Sequence, residues 1–335
     1  MEKKLYEFCI YIGRFQPFHK GHLNSIKFAL KQAQKLIVVI GGAYLSPSIR
    51  GPWTVQQRIE MIMASLSSRE RKNILFISLR DRLYCEEKWI QNLQGEVVKI
   101  TQGAQKIALV GHEKDSSSYY LKIFPQWDFL ETGNFSGINA TDIRYLYYLK
   151  NDKKKIQELV PKAVFNYLVK YYKTQEFKEL KRKFIYIANN KNKIYLESVI
   201  NLLIYCSNYV LLIKSKDILK QGLYSLPEAL NFIPDFEKNA LVNMANEFKI
   251  DLPANDLAKS FVSHELFSYS ERFPLGKQVS KTYFFKLKAE FLPLVKTSRN
   301  SHEVTWILLE DLPFLESQLY ADHYQIIQKF KKYFD

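Results

Sequence analysis

Two continuously apolar runs, "EFCIYI" (Glu7–Ile12) and "KLIVVIGG" (Lys35–Gly42), flank one helical period in which Leu23, Ile26, Leu30 and Ala33 share a face. A strand with one wet face alternates apolar and polar residues, whereas a strand apolar throughout must be covered on both faces. Two such strands joined by a helix pair in parallel through a crossover, which commits this part of the chain to an open, helix-covered parallel sheet. "NILFISLRD", "KIALVGHEKD" and "WDFLETG" continue the alternation. Helices are expected from His22 to Gln34, after Thr54 as a cap (Val55, Ile59, Ile62, Met63 and Leu66 recur at helical spacing), and through Trp89. Two more are expected from Thr141 in "TDIRYLYYL" and from Pro161 in "PKAVFNYLVKYY". The first half is therefore α/β.

Beyond it the pattern changes. "SVINLLIYCSNYVLLIKS" predicts two strands around a Ser207–Asn208 turn, and "KTYFFKLKAEF" and "VTWILLEDL" predict two more. Helices are expected near Phe236–Phe248 and Tyr320–Phe334, which makes the second half α+β. A length of 335 residues suits about two domains. The polar, basic stretch from Lys173 to about Lys193 marks the boundary, giving domains 1–180 and 181–335.

The net charge of +15 implies anionic partners, from nucleotides to nucleic acid. Its excess lies partly in "KNDKKK" (Lys150–Lys155) and "EFKELKRKF" (Glu176–Phe184), and such runs are more often solvated helix faces or linkers than binding grooves. Nucleic acid is not the favoured partner on this evidence. No apolar run approaches the ~20 residues that span a bilayer, and "MEKKLYE" lacks the apolar core of a signal peptide. Cys9, Cys85 and Cys206 show no paired spacing, which predicts free thiols in a reducing, cytoplasmic setting. A homo-oligomer is compatible with all of this.

The stretch "GRFQPFHKGH" (Gly13–His22) occupies the first strand-to-helix turn, where ligands of open α/β sheets bind outside the strands' carboxyl ends. Gly13 and Gly21 permit close approach of backbone N–H groups, and a helix N-terminus favours phosphate oxygens. His19 and His22, one helical turn apart, can both donate hydrogen bonds to a polyphosphate there, beside Arg14 and Phe15.

This string resembles the signature of the HxGH nucleotidyltransferases, whose domain is Rossmann-like, and most closely that of the archaeal-type nicotinamide mononucleotide (NMN) adenylyltransferases. "LSPSIRGPWTVQQR" (Leu45–Arg58), "RDRLYCEEKW" (Arg80–Trp89) and "INATDIR" (Ile138–Arg144) resemble later segments of that family, in the same order. The resemblance implies formation of NAD and pyrophosphate from NMN and ATP, with Mg²⁺ bridging the polyphosphate. It implies ATP contacts from Gly13, Arg14, Phe15, His19, Gly21, His22, Thr141 and Arg144, with His19, His22 and Arg144 catalytic. For NMN it implies Trp53, Arg58, Asp81 and Trp89, the tryptophans as candidates for stacking on nicotinamide. Each tryptophan could instead be core, and the residues leave Trp53 evenly balanced.

The whole chain is similar to bacterial proteins that join this domain to a Nudix hydrolase domain, a fold whose helix carries carboxylates at i, i+3 and i+4 to hold divalent ions. Here that helix face reads Asn243, Asn246 and Glu247, Val242 stands for the arginine, and Glu228 and Ala229 stand for glycines. The expectation is a Nudix-like domain that keeps its scaffold, binds ADP-ribose or a related nucleotide, and hydrolyses it weakly or not at all. Asp235, Glu237 and Glu228 are candidate replacement ligands, so a fully bifunctional enzyme stays open. From another class, a nucleotide-sensing or nucleic-acid-binding regulator on the same fold would bind without turnover.

Overall fold

The computed structural model describes residues 4–112, 123–133, 137–190, 199–230, 250–268, 279–289, 291–297 and 301–334. The chain divides into two compact units, Met1–Phe184 and Ile185–Asp335.

The first unit is built on strands β1 (Tyr6–Gly13), β2 (Ala33–Ile40), β3 (Ile74–Ser78), β4 (Ile107–Gly111) and β5 (Asp128–Glu131). They pair in parallel in the order β3-β2-β1-β4-β5. Alternate residues serve two separate cores, Cys9, Leu36, Val38 and Val110 on one face and Ile10, Ile37, Val39 and Leu109 on the other. That double burial is why neither β1 nor β2 reads as alternating. Helices α1 (Lys20–Gln32) and α2 (Val55–Ala64) supply Ile26, Ala29, Met61 and Ile62 to the first face. A one-turn helix, α3 (Ser68–Arg71), precedes β3. Helix α4 (Glu86–Thr101) covers the second face with Leu93 and Val97.

After β5 come α5 (Ala140–Tyr145), a π-helical turn (Leu146–Lys150), α6 (Lys153–Leu159), α7 (Lys162–Tyr171) and α8 (Gln175–Asn189). The structure shifts three sequence boundaries. α1 ends two residues early because Ala33 opens β2, pairing with Tyr6. Asn139, not Thr141, caps α5, its side chain accepting from the Asp142 N–H. The basic stretch from Lys173 is mostly helix, because Phe177, Leu180 and Ile187 form a buried stripe beneath its lysines.

In the second unit β6 (Val199–Cys206) and β7 (Tyr209–Ser215) flank a turn in which Ser207 and Asn208 both have positive φ. β8 (Tyr224–Ser225) pairs with β7, and β9 (Glu228–Leu230) with β6. Then follow α9 (Ala254–Lys259), β10 (Phe261–Phe267), β11 (Ser280–Leu287), β12 (Ser301–Leu308), α10 (Leu312–Leu315) and α11 (His323–Lys329). The sheet runs β10-β11-β6-β7-β12, with β11 and β6 parallel and its other pairs antiparallel. The expected helix Phe236–Phe248, with Asn243, Asn246 and Glu247, and the candidate ligands Asp235 and Glu237 lie outside the described residues. Glu228 is described, and its carboxylate is engaged by the Lys220 ammonium and lies 3.4 Å from His323 Nε2. No helix among the described residues is long and apolar enough to cross a membrane.

Candidate active site

The strand order reverses between β1 and β4, and the turn that leaves β1 opens at that switch point. Gly13 ends β1 with no room for a side chain, since an ideal Cβ would stand 2.7 Å from the Phe15 ring. Phe15 itself has φ +52° and is buried, its ring edge-on to His22 at 4.9 Å. Its ring packs inside the turn, so an ATP contact at Phe15 falls to its main chain.

His19 caps α1 and closes a reciprocal box with His22. The His22 N–H donates to His19 Nδ1 (3.4 Å), and the His19 N–H donates to His22 Nδ1 (3.3 Å). The rings stack with centroids 3.5 Å apart, and a Cβ at Gly21 would come within 3.1 Å of the His19 imidazole. Burial, followed by the neighbouring His19 charge, holds His22 well below the ordinary imidazole pKa. An Nδ1 that accepts a backbone N–H carries no proton, so in this cap Nε2 is the ring nitrogen left to donate.

Three other segments lock onto this turn. The Gln16 amide donates to Trp53 O (2.8 Å) and its oxygen accepts from Trp53 N (3.0 Å). Arg144, one turn into α5, donates to Gln16 O (2.7 Å) and to Thr141 Oγ1 (3.2 Å). Asp81, after β3, accepts from the Gly42 N–H (3.0 Å) and pairs with Arg14 at 3.5 Å. Motifs up to 128 residues apart in sequence thus meet at one turn.

Two residues expected to touch NMN are placed elsewhere. Trp53 is 1% exposed, packed among Tyr147 and Tyr171 in the first core, so its ring is unavailable for stacking. Arg58, also 1% exposed, gives four of its five N–H groups to main-chain oxygens: Thr54 (3.2 Å), Arg14 (2.9 Å), Gly41 (2.7 Å) and Gly42 (3.2 Å). Burial lowers its pKa to about 10. It ties the turns after β1 and β2 to the start of α2. Trp89, in the first turn of α4, is only partly buried, with the Phe124 ring 6.2 Å away. Gln16 lies within the Gly13–His22 motif, but the sequence assigned it no role, and the structure uses its buried amide to join two turns.

Comparison with known proteins agrees with this geometry. Residues 10–145 match the cytidylyltransferase-like family. A nicotinamide/nicotinic acid mononucleotide adenylyltransferase of Acinetobacter baylyi is 33% identical over 180 residues, 53% of this chain and 94% of that protein. A nicotinamide-nucleotide adenylyltransferase of Saccharolobus solfataricus is 31% identical over 173 residues, 51% of this chain and 95% of its own. Over 98% of this chain and all of the other, a bifunctional NMN adenylyltransferase/ADP ribose pyrophosphatase of Francisella tularensis superposes with a TM-score of 0.88 at 28% identity. The same kind of protein complexed with AMP and a manganese ion gives 0.87. The chain belongs to the nicotinamide-nucleotide adenylyltransferase family, in the form that continues into a Nudix-like domain.

Proposed function

We propose that the first unit transfers the adenylyl group of ATP to NMN, forming NAD and releasing pyrophosphate. The observation that carries this reading is the reciprocal His19–His22 cap at the switch point, with Arg144 docked on the same turn. An NMN phosphate oxygen forms a bond to the α-phosphorus of ATP as the bond to the β-phosphate oxygen breaks, and pyrophosphate leaves with that electron pair. No protein nucleophile is required, so the chain supplies positioning and charge stabilisation. The His19 and His22 Nε2–H groups donate to the phosphate oxygens whose charge grows in the transition state. Arg144 and Thr141 hold the β- and γ-phosphates, with Arg14 at the other side of the turn. The divalent ion, Mg²⁺ in this reading, comes with the ATP polyphosphate. The test is pyrophosphate release from purified protein with ATP, Mg²⁺ or Mn²⁺, and NMN or nicotinate mononucleotide. No release with either acceptor overturns the reading.

Trp89 is the proposed stacking partner of nicotinamide, with Asp81 accepting from the amide. A ring over a pyridinium contributes about 1 kcal/mol or more when desolvated. Trp89→Ala should raise KM for NMN several-fold and leave KM for ATP unchanged. Equal effects on both, with a lowered Tm, would assign Trp89 to packing.

The second unit is proposed to bind a nucleotide such as ADP-ribose with little or no hydrolysis. Asn243 and Asn246 offer amide oxygens where hard cations need charge, and Glu228, the described alternative, is already neutralised by Lys220. The full chain with ADP-ribose and Mg²⁺ or Mn²⁺ should show at most slow turnover. Rapid turnover abolished by Glu247→Gln would make the protein bifunctional instead.

A further inference from the structure

We infer that Ser25 and Thr132 are positioning residues for adenylyl transfer, a role that rests on the adenylyl-transfer reading of the first unit. Their paired hydroxyls hold the first turn of α1, and with it the His19–His22 cap, in place against the carboxyl ends of β4 and β5. Ser25 lies on the buried face of α1 with Ile26 and Ala29 and is 8% exposed. Thr132, the residue after β5, is 3% exposed. Ser25 Oγ and Thr132 Oγ1 are 3.2 Å apart across 107 residues of sequence. Apolar residues would fill either place more stably, since alanine is the better helix former and a buried hydroxyl must find a partner.

Thr132 is itself anchored to β4. Its N–H donates to Gly111 O at 2.7 Å, and its hydroxyl lies 3.3 Å from the same oxygen. Ser25 Oγ lies 3.3 Å from Gly21 O, one turn back along α1. Two hydroxyl protons serve these three contacts. If both pointed at the carbonyls, two hydroxyl oxygens would face each other at 3.2 Å with no proton between them. One proton therefore bridges Ser25 and Thr132, whichever of the two supplies it.

The path from this bridge to the cap is short. Gly21 packs directly on His19, since an ideal Cβ at Gly21 would stand 3.1 Å from both Cε1 and Nδ1 of that imidazole. His19 in turn closes the reciprocal box with His22. β4 pairs with β1 at the switch point, so the hydroxyl bridge ties the α1 side of that point to its β4 side. The two Nε2–H groups act on charge that grows in the transition state, and a misplacement of ~1 Å costs up to about 10²-fold in rate. A bridging proton fixes spacing and angle, whereas an apolar contact in its place sits in a shallow, undirected well. Losing the bridge should therefore act on kcat and spare ground-state binding.

The test compares Ser25→Ala/Thr132→Val with Thr132→Ser in the full chain. Removing both hydroxyls leaves neither unpaired, so the double variant should melt within a few degrees of the parent. Its kcat for pyrophosphate release should fall about tenfold, with KM for ATP and for NMN each changed by less than about twofold. Thr132→Ser keeps the bridging hydroxyl and should hold kcat within about twofold of the parent. Magnetic resonance spectra of protein labelled with carbon-13 at histidine Cε1, assigned with His19→Ser and His22→Ala, read the cap without turnover. Both cap signals should move in the double variant and stay in place in Thr132→Ser. Parental kcat in the double variant, or unmoved cap signals, overturns the role. A kcat loss that Thr132→Ser shares, or that comes only with a matching fall in Tm, assigns the pair to packing and overturns it as well. If the parent itself releases no pyrophosphate with either acceptor, the adenylyl-transfer reading fails, and the spectra alone decide whether the hydroxyls set the cap.

Discussion

His19→Ser should lower kcat by a factor of about 10²–10³ while leaving Tm within a few degrees of the parent. The two halves of that result separate two functions of one side chain. His19 Nδ1 caps α1 by accepting the His22 N–H, a task that a serine hydroxyl performs as well as most residues. Its Nε2–H, directed away from the cap, is the proposed phosphate donor, and serine is too short to replace it. His19→Ala loses both, so it should match the kcat loss and additionally forfeit about 1 kcal/mol of stability. Steady-state rates of pyrophosphate release beside thermal melts check both parts. Near-parental turnover by His19→Ser would show that the histidine serves only to cap the helix.

Arg58→Met should destabilise the first unit by about 3–5 kcal/mol, since each carbonyl that loses a donor out of reach of water costs about 1–3 kcal/mol. The guanidinium serves four main-chain oxygens from three different segments, and methionine strips this donor from those of Arg14, Gly41 and Gly42, while Thr54 O keeps the helical N–H of residue 58. Arg58→Lys should recover only part, because one ammonium cannot reach the fork of positions that a planar guanidinium spans. Denaturant titration with a probe on the first unit measures this loss. A phosphate ligand would behave in the opposite way, with a large rise in KM and little change in stability. That outcome would return Arg58 to the substrate side of the turn.

The contrast between these residues shows how much of the site was legible beforehand. His19 and His22 are three residues apart at a helix start, so their mutual placement follows from helix geometry alone. Thr141 and Arg144 have the same spacing, and the structure joins them by a direct hydrogen bond. Trp53 and Arg58 sit in a segment of recognisable pattern, yet pattern could not say which way either side chain turns. Trp53 went inward because Tyr147 and Tyr171 from later helices enclose it, and Arg58 because the turns after β1 and β2 present carbonyls to it. The helix α8 was obscured by its own charge, its buried stripe at Phe177, Leu180 and Ile187 being narrow beside the lysines.

Local order along the chain determined the parallel α/β core, the phosphate-type turn after β1 and the change to a mixed α+β unit. Each depends on periodicity or on residues within one helical turn. Tertiary structure alone decided that Arg58 is buried against main-chain oxygens while Arg14 stays half exposed, which tryptophan remains accessible, and that Gln16 joins the segments of Trp53 and Arg144. Those outcomes turn on burial and on donors meeting acceptors across separations of up to 128 residues, for which sequence spacing carries no distance.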